Sequence, residues 1–266
     1  MPYNRALWTD RSYLLETQYR TDANLAARQS IYEFQRPRVH LPGAVIQLSG
    51  LRGDETIADI GCGNGAYLAE LGRRGHRGRA LGVDMSAGML HSARSRVPGA
   101  ALVAGDATAL PMADSGCDAV LAMHMLYHVP DPLTAVRELR RVTRAGGQVL
   151  VVLNGDDHLR ELRDLIALAL ADSGLGTTEP VPFDRINLDD GHELLSQVFA
   201  AVHRHDFVSE LELPGSEPIV RYVRSTFVAH SAAEPERLVA AVTRRLGDVP
   251  GGAFRVRTHS GCLICT

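Results

Sequence analysis

Lysine is absent from the 266 residues: all 28 basic positions are Arg. That excludes a P-loop, a Schiff-base lysine and a pyridoxal phosphate enzyme. Cysteine is sparse, and Cys62, Cys117, Cys262 and Cys265 do not form the paired doublets of a zinc site. Cys262-Leu-Ile-Cys265 is formally a CxxC, but it lies in an apolar, strand-like tail. In an extended strand its two sulfurs face opposite sides, so inert core is the expected role. The histidines are scattered and no dense carboxylate cluster suggests a magnesium site, so no metal is expected. No apolar run approaches the roughly 18 residues that cross a bilayer. The segment Met1–Asp10 lacks an apolar signal core, and a cytoplasmic location is expected by default. With 28 basic against 31 acidic residues the net charge is −3, which argues against nucleic-acid and membrane-surface partners.

What is present reads as an ordinary globular chain, 45% apolar and 22% charged. Leu7, Tyr13, Leu14, Tyr19, Leu25, Ile31 and Phe34 recur at three- and four-residue spacing, predicting N-terminal helices. Asp22 is a candidate cap, Pro37 a terminator, and Pro42-Gly43 opens a further short helix; no strand is read before residue 56. From there strands are predicted at 56–60, 79–84, 101–104, 117–123 and 148–153. Helices are predicted after Gly65, from Ser86 and over 132–143. These strands are apolar at nearly every position, the pattern of a parallel sheet covered on both faces. Their alternation with helices predicts a doubly wound α/β sheet. Beyond it, helices are predicted at 157–172, 191–202, 216–228 and 234–246, strands at 207–213 and 254–264, and a polar loop at 174–190.

The chemistry concentrates in Asp59-Ile-Gly61-Cys-Gly63-Asn-Gly65, which joins the first strand to its helix. Glycines serve where the chain turns tightly and a ligand approaches the backbone. In an open α/β sheet that ligand lies across the strand ends. Asp84 ends the second strand, where a carboxylate can accept both hydroxyls of a ribose. Asp106 ends the third and can accept from the amine of an adenine. Gly61-x-Gly63-x-x-Ala66 also satisfies the relaxed dinucleotide fingerprint, so a nicotinamide-dependent oxidoreductase competes. A non-catalytic cofactor-binding protein is a further alternative. Asp59 before the glycines, Gly105-Asp106-Ala107, and the run Met123-His-Met-Leu-Tyr-His128-Val-Pro-Asp131 weigh against both.

Together these residues resemble the class I S-adenosylmethionine-dependent methyltransferases, in their small-molecule, ubiquinone/menaquinone-type branch. The resemblance is strong over residues 50–155 and weak beyond. It implies a Rossmann-like, seven-stranded sheet whose last strand is antiparallel. It implies S-adenosyl-L-methionine as cofactor, with Asp59, Gly61, Cys62 and Gly63 around its methionine part. Asp84 would take the ribose, and Asp106, Met85 and Ala107 the adenine. The family often has Asn at the position of His124. The activity implied is in-line methyl transfer to a small organic acceptor, a secondary metabolite or quinone-like compound.

Several residues keep two readings. Met123 covers the adenosine or belongs to the core. His124 and His128 are candidates for a general base, and His128 is equally a packed histidine. Tyr19 and Arg28 close over the cofactor or lie on a solvated helix face. Arg36-Pro-Arg38-Val-His40 and Arg221-Tyr-Val-Arg224 hold an acidic substrate group or are solvated. Trp8, Tyr13, Tyr19, Tyr32 and Phe34 concentrate aromatic rings near the N-terminus, as a surface closing over a ligand would. The expected organisation is a helical lid over residues 1–50. A Rossmann-like domain follows over 51–266, with cap insertions at about 155–200 and 214–250.

Overall fold

The computed structural model describes residues 5–176, 185–247 and 253–266; the predicted loop therefore lies partly outside the described residues. The apolar runs become strands, buried on both faces over 57–60 and most of 117–123, whereas the run 101–104, expected to be covered as well, forms a largely exposed edge strand. The strands are β1 (Gln35–Arg36), β2 (Ile57–Ile60), β3 (Ala80–Asp84), β4 (Ala101–Ala104), β5 (Cys117–Met123), β6 (Thr143–Asn154), β7 (Val202–Pro214) and β8 (Ala253–Cys265). They form one sheet in the order β1-β7-β8-β6-β5-β2-β3-β4. From β4 to β6 neighbouring strands are parallel, while β8 runs antiparallel to β6 and β7.

The helices are α1 (Arg11–Tyr13), α2 (Ala23–Ser30), α3 (Leu41–Leu48), α4 (Ala66–Arg73), α5 (Ala87–Arg96), α6 (Pro132–Val142), α7 (Arg160–Asp172), α8 (Leu188–Ser196), α9 (Glu217–Arg224), α10 (Phe227–Ser231) and α11 (Pro235–Gly247). Alternation along β6 shows the layering. Leu150 and Val152 pack with residues of α3, α4 and α5 on one face. Val149, Val151 and Leu153 pack with α6 and α8 on the other. Cys262 belongs to the first cluster and Cys265 to the second, so the CxxC sulfurs do face opposite sides, and all four cysteines are free and buried. A third cluster joins α7, α9, α10 and α11 to Ile31 and the outer parts of β7 and β8, forming a helical cap. No described helix is long and apolar enough to cross a membrane.

Three sequence expectations are corrected. The sheet has eight strands and not seven, because β1 comes from a segment read as strand-free. Gln35 and Arg36 carry no alternating pattern; they pair with Leu211 and Glu210 on the free edge of β7. Gln35 is fixed there by donating to Thr258 Oγ1 at 3.2 Å and accepting from Val39 N at 3.1 Å. Second, α8 starts at Leu188 and not at 191, because Asn187 and Asp190 form a reciprocal capping box. Third, the helix expected over 216–228 divides into α9 and α10: Thr226 leaves the helical conformation and caps α10 through Ala229 N.

Candidate active site

The carboxyl ends of β2, β3, β5 and β6 open into a cavity of about 790 Å³, roofed by residues between Trp8 and Pro42. Its first half lies under the glycine loop. Gly61 and Gly63 have φ of +69° and +53°, and a Cβ on Gly61 would lie 2.7 Å from Met125 Cβ. Gly61 N and Cys62 N both donate to Val83 O, at 2.7 and 3.1 Å, tying the loop to β3. Gly63 N donates to Asp84 Oδ2 and Ser86 N to Asp84 Oδ1, each at 2.8 Å. Asp84 thus holds the loop as well as facing the cavity. Burial raises its pKa against the lowering effect of those N–H groups.

Asp59 is the most unusual group in this half. It is 1% exposed, and neither carboxylate oxygen has a hydrogen-bond partner among the described residues. Burial, reinforced by the charge of Asp84, pushes its pKa up to about 8. An unsatisfied buried carboxyl is costly, and a cationic donor in the adjoining cavity would relieve it. Asp106 accepts from Thr108 N at 2.9 Å and Thr108 Oγ1 at 2.7 Å, which hold its carboxyl below the ordinary range, and its Oδ2 faces Arg11 at 3.4 Å. Met85, Ala107 and Met123 also line this half. The thiol of Cys62 is buried among α4, α5 and the sheet, and burial raises its pKa far above the ordinary value. Cys62 therefore offers its backbone, and not a nucleophile, to the cavity.

The roof is latched by a directed chain of hydrogen bonds. His128 Nδ1 lies 3.0 Å from Trp8 O, a carbonyl that can only accept, so this nitrogen carries the proton. His128 Nε2, 2.8 Å from Tyr19 Oη, then accepts from the tyrosine. Arg28 Nη2 donates to Tyr19 Oη at 3.4 Å and Nη1 to Ser225 O at 2.7 Å. Burial drives the His128 pKa to about 3, so the ring stays neutral. With both ring nitrogens engaged, His128 is arranged to hold the roof. Ser86 Oγ adds a bond to Tyr19 O at 2.6 Å. Tyr19→Phe leaves the buried Nε2 lone pair unmatched, a loss of about 1–3 kcal/mol. Amide exchange is expected to quicken between Trp8 and Arg28 while β2, β5 and β6 stay protected. Identical exchange in variant and wild type would refute the latch.

His124, the residue after β5, adopts the left-handed conformation, φ +55°, with its N–H bound to Val152 O at 2.9 Å. Its ring lines the cavity without a side-chain hydrogen bond to any described residue, and burial lowers its pKa to about 4. The second half of the cavity adds residues that sequence reading missed: Asn154, His158, Phe207, Tyr222, Thr258 and Ser260. They come from β6, the loop after it, β7, α9 and β8, and no motif joins them. Asn154 and His158 do sit at and just beyond a strand end, the place where α/β ligands bind, and that signal was available. Arg38 and His40 reach the cavity mouth, whereas Arg221 and Arg224 pair with Glu217 and Glu236 on the cap. No cluster of three or more metal-binding side chains occurs among the described residues.

This sheet order, with β8 reversed between β6 and β7 and a glycine loop at the switch point, is the class I, Rossmann-like methyltransferase fold. Residues 58–151, which run from β2 into β6, match the family model described as a methyltransferase domain. A demethylmenaquinone methyltransferase of Beutenbergia cavernae is 37% identical over 108 residues, 41% of this chain and 44% of the relative. A malonyl-[acyl-carrier protein] O-methyltransferase of Serratia marcescens is 29% identical over 171 residues, 64% of this chain and 62% of the relative. The chain thus spans less than half the length of the first relative and less than two thirds of the second. Among solved structures, the YcgJ protein of Bacillus subtilis superposes with a TM-score of 0.59 at 18% identity, covering 85% of this chain and 97% of that one.

Proposed function

We propose that the protein is an S-adenosyl-L-methionine-dependent methyltransferase acting on a small organic acceptor, a secondary metabolite or quinone-like compound. The observation that carries this reading is Asp59, a buried carboxyl with two unmatched oxygens beside a glycine loop. An amino-acid ammonium matches it in charge and donor count. The pyrophosphate of a nicotinamide dinucleotide would instead bring negative charge beside a buried acid, which disfavours the oxidoreductase alternative.

In this reading the backbone of Gly61, Cys62 and Gly63 follows the methionine part of the cofactor. Asp84 accepts from the ribose hydroxyls, Asp106 from the adenine amine, and Met85, Ala107 and Met123 cover the base. Arg28 has no acidic partner among the described residues, and its half-buried guanidinium suits the cofactor carboxylate. Tyr19 closes over the same region. His124, neutral and unengaged, is the candidate base, and His128 takes a positioning role. Aligning acceptor and methyl group can lower the barrier by about 7–11 kcal/mol. A base adds roughly 10²–10⁴-fold where the acceptor must lose a proton.

Titration calorimetry tests the cofactor assignment. Saturable binding of S-adenosylmethionine and of its demethylated product is expected, with none of NAD. Binding of NAD alone would replace the reading with the oxidoreductase one.

A further inference from the structure

Tyr67 has no task in the methyltransferase reading, yet the fold leaves its hydroxyl unmatched. It is the second residue of α4, lines the cavity and is 8% exposed. Its hydroxyl has no hydrogen-bond partner among the described residues. Buried tyrosine hydroxyls ordinarily find one. Packing accounts for the ring, which belongs to the apolar cluster between the sheet and α3, α4 and α5. A phenylalanine would serve that cluster equally well, so the oxygen is the part that packing does not explain.

Sheet register locates this oxygen. The same cluster contains Met123, Val152 and Cys262, which are paired neighbours on β5, β6 and β8. The hydroxyl senses Asp59 on β2 and Cys262 on β8, and β5 and β6 lie between those two strands. Tyr67 therefore stands over the carboxyl ends of β5 and β6. His124 directly follows β5, and Asn154 closes β6. Phe207, packed against the same cluster, lines the second half of the cavity, whereas Asp59 lies under the glycine loop in the first. The hydroxyl thus marks the border between the two halves. Burial, reinforced by Asp59, raises its pKa far above the ordinary value. It stays neutral, with one hydrogen to donate and oxygen lone pairs to accept.

We propose that the Tyr67 hydroxyl hydrogen-bonds the reacting atom of the acceptor at the point of transfer, so that this atom is a nitrogen or oxygen carrying hydrogen and not a ring carbon. The inference rests on the methyltransferase reading and selects among its acceptors. In that reading the cofactor fills the half around Asp59 and the acceptor the other, so the methyl group crosses where Tyr67 stands. An amine or hydroxyl brings both a donor and lone pairs to the border. A carbon nucleophile brings neither, and would leave a buried hydroxyl unmatched with both ligands in place. Tyr67 is an acceptor-binding residue in this scheme: it fixes the direction of the attacking lone pair and takes no proton. A proton shed by the acceptor goes to His124.

The test uses the full chain and two unreactive ligands. S-adenosylhomocysteine leaves the transfer point empty. Sinefungin puts an ammonium there, a nitrogen carrying hydrogen at the place under test. Calorimetry on wild type and Tyr67→Phe gives four affinities. The affinity for sinefungin relative to S-adenosylhomocysteine is expected to fall roughly ten- to a hundredfold in the variant, the worth of a hydrogen bond to a charged group. S-adenosylhomocysteine itself should bind both proteins alike. Loss of a structural residue would weaken both ligands together and leave the ratio unmoved. Equal losses would assign the hydroxyl to the methionine part, and no loss would assign it to packing; either result overturns the inference. Wild type gives a second readout that needs no variant. The carbon-13 shift of the Tyr67 ring carbon bearing oxygen should differ between the two complexes, and identical shifts would also overturn the inference. If neither ligand binds wild type, the methyltransferase reading falls instead, so the two failures are distinguishable.

Discussion

Asp59→Asn is expected to cost the protein its cofactor affinity while making the ligand-free fold more stable at neutral and alkaline pH. Both effects follow from a carboxyl that is 1% exposed, unmatched at both oxygens and shifted to about 8. The sign of the stability effect is set by where the proton resides. Well below pH 3.8 folded and unfolded chains both hold it, and Asp59 costs nothing through ionisation. As pH rises the unfolded chain releases the proton at its ordinary value of 3.8 while the folded chain keeps it up to about 8. Stability is therefore lost progressively between those values. Asn cannot ionise, so the variant should melt closest to the wild-type temperature at the acid end of the range, well below pH 3.8, and above it at pH 8. Binding reverses the preference. A ligand ammonium requires the carboxylate, so wild type should release close to one proton on binding at pH 7, seen as a buffer-dependent calorimetric enthalpy. Removing one partner of a buried ion pair costs about 3–5 kcal/mol, a loss of roughly two to four orders of magnitude in affinity. A variant that binds as wild type, or shows no pH-dependent gain in melting temperature, would show that Asp59 does not meet a cation.

The parts legible in the sequence were those where local pattern and tertiary role agree. Strands β4 and β5 fall on their predicted residues because each is a short apolar run closed by turn residues. Asp131 caps α6 through Thr134 N, as a Pro-led amphipathic segment leads one to expect. The first half of the cavity was legible for a related reason: Asp59, Asp84 and Asp106 lie at or just beyond the ends of β2, β3 and β4, which are consecutive in the chain and neighbours in the sheet. The second half was not. Tyr32, Asn154, His158, Phe207 and Ser260 meet only because β7 and β8 fold back beside β6 and the N-terminal segment adds β1 to their edge. That edge strand is two polar residues long, and its pairing is decided by a partner some 175 residues away, beyond any periodicity. His128 shows a different limit. Its type and place suggested a base, but which nitrogen bears the proton depends on Trp8 O, a backbone atom that residue identity does not reveal.

Asp84→Ala is expected to weaken cofactor binding more than any single change among the described residues of the C-terminal third. Asp84 stands at the carboxyl end of β3, and its two oxygens already accept from Gly63 N and Ser86 N. In the proposed complex its remaining lone pairs meet the ribose hydroxyls, so the substitution removes ligand contacts and loosens the loop that frames the methionine part. Hydrogen bonds to a charged acceptor contribute about 1.5–3 kcal/mol each, so a loss of roughly 10²–10⁴-fold in affinity is expected from the two ribose contacts alone. Stability should fall much less, because the carboxylate that is lost was itself disfavoured by burial. By contrast Arg221→Ala, an exposed partner of Glu217 on the cap, should leave binding within a few-fold of wild type. A further consequence separates this account from simple damage to the loop. The charge of Asp84 helps to raise the pKa of Asp59, so its removal should lower the pH at which Asp59 gives up its proton. The pH range over which ligand-free stability declines should move down with it. Calorimetry and thermal melts across pH measure both quantities on one sample set. An affinity equal to wild type would remove Asp84 from the site, and an unmoved pH range would break its electrostatic link to Asp59.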